Sequence, residues 1–297
     1  MSCLAKQPVL TAVTELPGCP LCRGIVLKTI SEHNGKRLLK CVQCSASFVL
    51  PQPTAGALTA HFEDSPKLSE RDLEIKFERN RERVLARVAD YIQSYKRGGS
   101  ILDVGCATGL FLAQFFSSAN WQAWGVELSP QAAEKAIRKG LRVRQGNIHS
   151  AKFAESFFDV VSVVDTFYYF LEPQFELAEC HRILKPGGLL VLELPLGDSR
   201  IWRASHQVGK LLSGRRQELL ESSDHLFYYN PKSIKLLLER CGFRVQAILP
   251  LPGNTQEHFC RNLIYRAYSL VSLALHSVSG SRMFGPRFLV AAGKIAE

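Results

Sequence analysis

One stretch limits the possible folds more than any other: Ser100-Ile-Leu-Asp-Val-Gly-Cys-Ala-Thr-Gly-Leu-Phe-Leu112. The apolar run Ile101 to Val104 is cut by Gly105 and Gly109. It then passes into the helical spacing of Leu110, Phe111, Leu112, Phe115 and Phe116, which predicts strand, tight turn and helix in succession. A strand feeding a helix through glycines is how a parallel α/β sheet cradles an anionic or nucleotide ligand. A dinucleotide fingerprint would read G-x-G-x-x-G. Here Asp103 precedes Gly105, Ala107 and Gly109, and an acid at that place suits a ligand with a cationic amino group rather than a pyrophosphate.

Four further stretches follow in order. Trp121 to Pro130 reads as a strand ending on Glu127, and Arg142 to Ile148 as a third strand offering Asn147. Phe158 to Asp165 and Arg182 to Glu193 supply a fourth and a fifth. Together these five landmarks resemble the class I S-adenosylmethionine-dependent methyltransferases over residues 100–250. The tail, Asp224-His-Leu-Phe-Tyr-Tyr-Asn-Pro through Cys241-Gly-Phe-Arg-Val245, is similar to the branch that methylates small metabolites and sugars.

The resemblance implies an α/β fold: a Rossmann-like seven-stranded methyltransferase sheet with helices on both faces, binding S-adenosyl-L-methionine. It implies that Asp103 meets the methionine amino group and that Gly105, Cys106, Ala107 and Gly109 let the backbone approach the cofactor. Glu127 would hold the ribose diol, Leu128 and Ile148 would sandwich the adenine, and Asn147 would contact its exocyclic amine. Asp165 would lie close to the methionine part. Two positions depart from the family's pattern. Ala107 stands where a second glycine is usual, and Thr166-Phe-Tyr-Tyr-Phe170 stands where relatives often carry an acid followed by His, so that Tyr169 takes the place of a possible acid/base group.

The cysteines point to a metal. Cys19-x-x-Cys22 and Cys41-x-x-Cys44 are two pairs separated by 18 residues, the spacing of a four-cysteine zinc site. Between them Ile25–Ile30 and Lys36–Lys40 flank Asn34-Gly35, a type I′ hairpin signal. Two knuckles joined by a hairpin make a zinc ribbon, whose closed thiolate shell is structural rather than catalytic. The chain therefore divides into a ribbon over 1–50, a linker and amphipathic helix over 51–98, and a methyltransferase domain over 99–297 with a substrate-capping insert at about 197–229. In the middle segment, Pro51 to Gly56 reads as linker. Ser69 then caps a long helix whose apolar face is Leu73, Phe77, Val84, Leu85, Val88, Ile92 and Tyr95, with Arg79, Arg81, Arg83 and Arg87 on the opposite face, which reads as solvated or, alternatively, as RNA-contacting. Cys3, Cys106, Cys180, Cys241 and Cys260 have no such partners and read as small apolar residues.

Composition bounds the partners. A formal charge of +10 allows nucleic acid, a phosphorylated substrate, a membrane surface or no polyanion at all. No apolar run approaches the roughly 18 residues of a transmembrane helix, and the N-terminus lacks the basic-then-apolar pattern of a signal peptide, which predicts a cytoplasmic protein. Candidate acceptor-site residues are Tyr168 and Tyr169, the insert Asp198 to His206, and Asp224-His225 with His225 as general base, His206 behind it and His181 facing solvent; the basic, amphipathic stretch Arg200 to Arg216 reads as a lid over an anionic acceptor or as a surface helix. Residues 262–278 read as a core-packing helix before a seventh strand at 286–294. The expected function is methyl transfer in line to a small or glycan-type acceptor, anionic in the case of a phosphosugar. Two alternatives remain: an RNA methyltransferase using the ribbon and the basic surface, and a non-catalytic ribbon protein that recruits partners.

Overall fold

The computed structural model describes residues 16–33, 35–63, 71–116, 119–196, 225–252 and 287–295. The expected Ser69 cap, the basic insert with His206 and the 262–278 helix lie outside the described residues. At the centre is a seven-stranded sheet built from β4 (Gly99–Val104), β5 (Trp121–Glu127), β6 (Arg142–Gln145), β7 (Phe158–Val164), β8 (Leu184–Pro195), β10 (Phe243–Leu251) and β11 (Arg287–Lys294). Their spatial order is β10-β11-β8-β7-β4-β5-β6. Pairing from β6 across to β8 is parallel, and β11 runs antiparallel to both its neighbours. The order reverses beside β4, so a crevice opens above the carboxyl ends of β4 and β7.

Successive strand residues point to opposite faces and so feed two separate cores. Ile101, Val160, Leu189, Val191 and Leu289 pack with Val84, Val88 and Ile92 of α2 (Arg71–Tyr95) and with Phe115 of α3 (Ala113–Phe116). Leu102, Val161, Leu190, Leu192 and Val290 pack instead with Leu177 and Cys180 of α5 (Pro173–Ile183) and with Ile234 and Leu237 of α6 (Pro231–Arg240). Between β5 and β6, α4 (Pro130–Arg138) starts at Ser129, whose hydroxyl accepts from the Ala132 amide, and it adds Ala136 to the first core.

Two expectations for α2 fail. Arg81 is 2% exposed and does not lie on the solvated face: positions 81, 85, 88 and 92 follow the helical i, i+4, i+7, i+11 repeat, so Arg81 shares the apolar stripe. Tyr95, expected inside, is 48% exposed. His181 is half-buried, with its ring edge-on to Phe243 at 5.3 Å, and does not face solvent.

In the amino-terminal segment β1 (Leu27–His33) pairs antiparallel with β2 (Lys36–Cys41), which pairs with β3 (Ser47–Leu50). The sheet does not end there. β3 pairs with β9 (Phe227–Tyr228), a two-residue strand from the other half of the chain. The side chains of Cys19, Cys22, Cys41 and Cys44 lie in the same apolar cluster as Phe227, Tyr229, Leu177 and Leu190. Pro51 to Gly56 is linker only in part. α1 (Ala55–Glu63) begins within it, with the Thr54 hydroxyl accepting from the Ala57 amide at 3.1 Å.

Candidate active site

The turn after β4 is shaped by backbone angles that L side chains rarely adopt. Gly105 has φ +77°, and a Cβ there would come within 2.5 Å of Thr166 Oγ1. Gly109 has φ +82°, with Leu141 2.1 Å from where its Cβ would sit. Between them Ala107 takes φ +47°, a left-handed conformation that costs alanine about 1 kcal/mol and costs glycine almost nothing. The turn is tied across to β5: the Gly105 and Cys106 amides donate to Val126 O at 2.8 and 3.0 Å.

This turn borders a cavity of about 550 Å³. Of the residues that sequence assigns to the cofactor, Asp103, Gly105, Cys106, Ala107, Glu127, Leu128, Asn147, Ile148 and Asp165 all line it, whereas Gly109, in the same turn, does not. Glu127 is held by two amides, Ala107 N to Oε2 and Ser129 N to Oε1, each at 2.8 Å. Burial raises its pKa above the usual carboxylate range against these bonds. Asp103 is 2% exposed and accepts from Ser162 Oγ at 2.8 Å. Burial, assisted by the charge of Glu127, pushes it up to about 8. Burial likewise raises the Cys106 thiol. Asn147 Oδ1 accepts from the Ser150 amide at 2.8 Å. Next to Ile148, His149 stacks on Phe175 with ring centres 3.9 Å apart and stands 3.3 Å from Glu176.

Asp165 is far more committed than the sequence suggests. Its carboxylate meets Arg81 at 3.1 Å and takes donors from Arg287 and from the Tyr168 hydroxyl. Arg81 and Arg287 also grip Glu193, which is fully buried. Two arginines and two acids thus form a charge-balanced, largely buried quartet, of which Arg81 and Asp165 border the cavity. Burial opposes ionisation of Asp165, but Arg287 and then Arg81 hold it down at about 2. Sequence reasoning singles out neither arginine for the site. The helical register of Arg81 is the available signal, whereas Arg287 carries none.

The rest of the wall is aromatic. Tyr169 lines the cavity, and Phe62 of α1 sits edge-on to it at 5.0 Å. Leu58, Thr59 and His61 of α1 also line it, as do Phe170, Phe175, Glu172 and Glu176. His225 does not. It packs behind Tyr168, with ring centres 3.9 Å apart.

At the far end of the ribbon the four cysteine sulfurs lie within 4.8 Å of one another, with Cys19–Cys44 at 3.7 Å and Cys22–Cys41 at 3.4 Å. Tetrahedral ligands about 2.3 Å from a metal stand roughly 3.8 Å apart, so the donor set and its spacing fit a closed zinc shell of four thiolates.

A profile of the family described as "Methyltransferase domain" matches residues 77–248. The chain belongs to this methyltransferase family. The methyltransferase is 30% identical over 104 residues to O-methyltransferase cnsE of Penicillium expansum, covering 32% of this chain and 38% of that protein, so it spans well under half of that relative. With O-methyltransferase resE of Aspergillus sclerotiorum it shares 26% identity, over 75% of this chain and 81% of the relative. Its fold matches a methyltransferase of Thermotoga maritima described as a possible histamine N-methyltransferase (TM-score 0.53, 17% identity, 77% of this chain and 97% of that one). It also matches a putative methyltransferase solved in complex with the Trm112 activator of Haloferax volcanii (TM-score 0.56, 17% identity, 80% and 98%).

Proposed function

We propose that this protein transfers the methyl group of S-adenosylmethionine, in line, to an oxygen of a small acceptor that is aromatic or otherwise largely apolar. The observation that carries the reading is a single cavity lined both by Asp103 and Glu127 and by an aromatic wall. Asp103 is placed for the cofactor's ammonium and Glu127 for its ribose hydroxyls, with Leu128, Ile148 and Asn147 around the adenine. When bound, the sulfonium supplies a methyl group already activated for displacement. The protein's own work is then orientation and exclusion of water. Tyr169 faces the acceptor, and His225, one ring behind, supports Tyr168 rather than touching substrate. Oxygen is the acceptor atom in the names of the relatives cnsE and resE.

An anionic acceptor or RNA gains no support at this wall. Glu172 and Glu176 line it, and Arg81 is already committed to Asp165 and Glu193. We also propose that Cys19, Cys22, Cys41 and Cys44 hold one zinc ion, and we keep the division of the chain at residues 50 and 98. The test is calorimetry with S-adenosylmethionine on wild type and Glu127→Ala, followed by labelled-methyl transfer to a panel of phenols and phosphosugars. Binding that Glu127→Ala abolishes, with transfer to phenols, is expected. Wild-type protein that does not bind the nucleoside ends the reading.

A further inference from the structure

The aromatic wall and the cofactor cradle are anchored differently. Asp103, Gly105 and Glu127 belong to β4, β5 and the turn between them, inside the central sheet. The wall is reached from the ribbon by three separate routes. First, β3 ends at Leu50 and α1 starts at Ala55, so the ribbon delivers Leu58 and Phe62 to the cavity within one short connection. Second, the Val49 amide donates to Leu226 O at 3.0 Å, and the Leu226 amide donates to Tyr168 O at 3.1 Å. The backbone beside the Tyr168–Tyr169 turn is thereby the next rung of the ribbon sheet. Third, Gln174, adjacent to Phe175, donates to Pro20 O between the first two cysteines. The ribbon is fastened to the body again at α6, where Asn230 Nδ2 donates to Ser45 O and Lys232 Nζ to Gln43 O, both at 2.7 Å. Tyr229 is buried against Cys19 and the ribbon core, its hydroxyl without a hydrogen-bond partner.

We infer that the four-cysteine ribbon positions the acceptor wall: it holds Phe62, the Tyr168–Tyr169 turn and Phe175 over a cofactor cradle whose own backbone ties run between β4 and β5. This rests on the zinc reading, so metal content is measured first. About one zinc per chain supports that reading, and protein purified without metal overturns it. Hydrogen exchange then tests the inference on the full chain before and after chelation. A zinc-free ribbon should speed exchange at Val49 and Leu226 roughly tenfold or more, while Gly105 and Cys106 exchange as before and S-adenosylmethionine binds with unchanged affinity. Global destabilisation would instead move both sets of amides together. Where chelation unfolds the chain, the double variant Asn230→Ser, Lys232→Ala decides, because it cuts two ribbon bonds, keeps a capping hydroxyl on α6 and leaves the cysteines and cavity untouched. Faster exchange at Leu226 with cofactor affinity retained supports the inference. A loosened ribbon with Leu226 exchanging at the wild-type rate overturns it.

Discussion

At the residue scale, burial sets the chemistry of the two acids in the cradle. Asp103 lies beneath the turn with the Ser162 hydroxyl as hydrogen-bond donor, and burial raises it to about 8. At neutral pH Asp103 is therefore mostly protonated, whereas the ammonium proposed to bind beside it would favour the ionised form. Binding at pH 7 should release close to one proton, and affinity should rise with pH, by up to about tenfold per unit, to a maximum near pH 8, above which the ligand's own α-ammonium deprotonates. Calorimetry in buffers of different ionisation enthalpy measures that proton directly, and Asp103→Asn should remove the pH dependence along with most of the affinity. Ala107 reads in the sequence as a small departure. Its φ of +47° shows why glycine suits that place: the turn tolerates a methyl group but makes it adopt a left-handed backbone.

At the element scale, the lesson lies in α2. Its arginines look like one charged face when they are counted, yet they separate by register. Arg83 and Arg87 are exposed, and Arg81 points inward to Asp165 and Glu193. Replacing Arg81 by Met should cost about 3–5 kcal/mol, since it strands two acids on one arginine in a buried place. Arg83→Ala should stay within about 0.5 kcal/mol. Denaturant midpoints on the two variants check the contrast. The start of α1 reads as linker from sequence because the helix buries no residue of its own. Its apolar side chains are spent on the cavity instead, so its amphipathic pattern is weak.

At the scale of the whole molecule, the ribbon is no separate bead on the chain. Its cysteines and Phe48 share one buried cluster with Phe227, Tyr229 and the helix-packed face of the central sheet, so the described residues offer no solvated seam for a domain to come away along. The protein, loaded with the zinc proposed above, should therefore melt in a single transition, with calorimetric and van't Hoff enthalpies equal. An early, separate transition removed by Cys44→Ser would show the ribbon unfolding alone.

The sequence by itself determined most strands of the central sheet and their order along the chain, the glycine turn, the acid closing β5 and the paired spacing of the four cysteines. Each is a local signal, carried by side-chain periodicity or by the backbone freedom of a few residues. Only tertiary structure decided that Arg287 and Arg81 meet at Asp165, that Phe227–Tyr228 completes the ribbon sheet, and that α1 lines the cavity. Those contacts join residues up to about two hundred positions apart, and long-range pairing of that kind depends on which surfaces the folded sheet brings together, so it leaves no mark on any one stretch of chain.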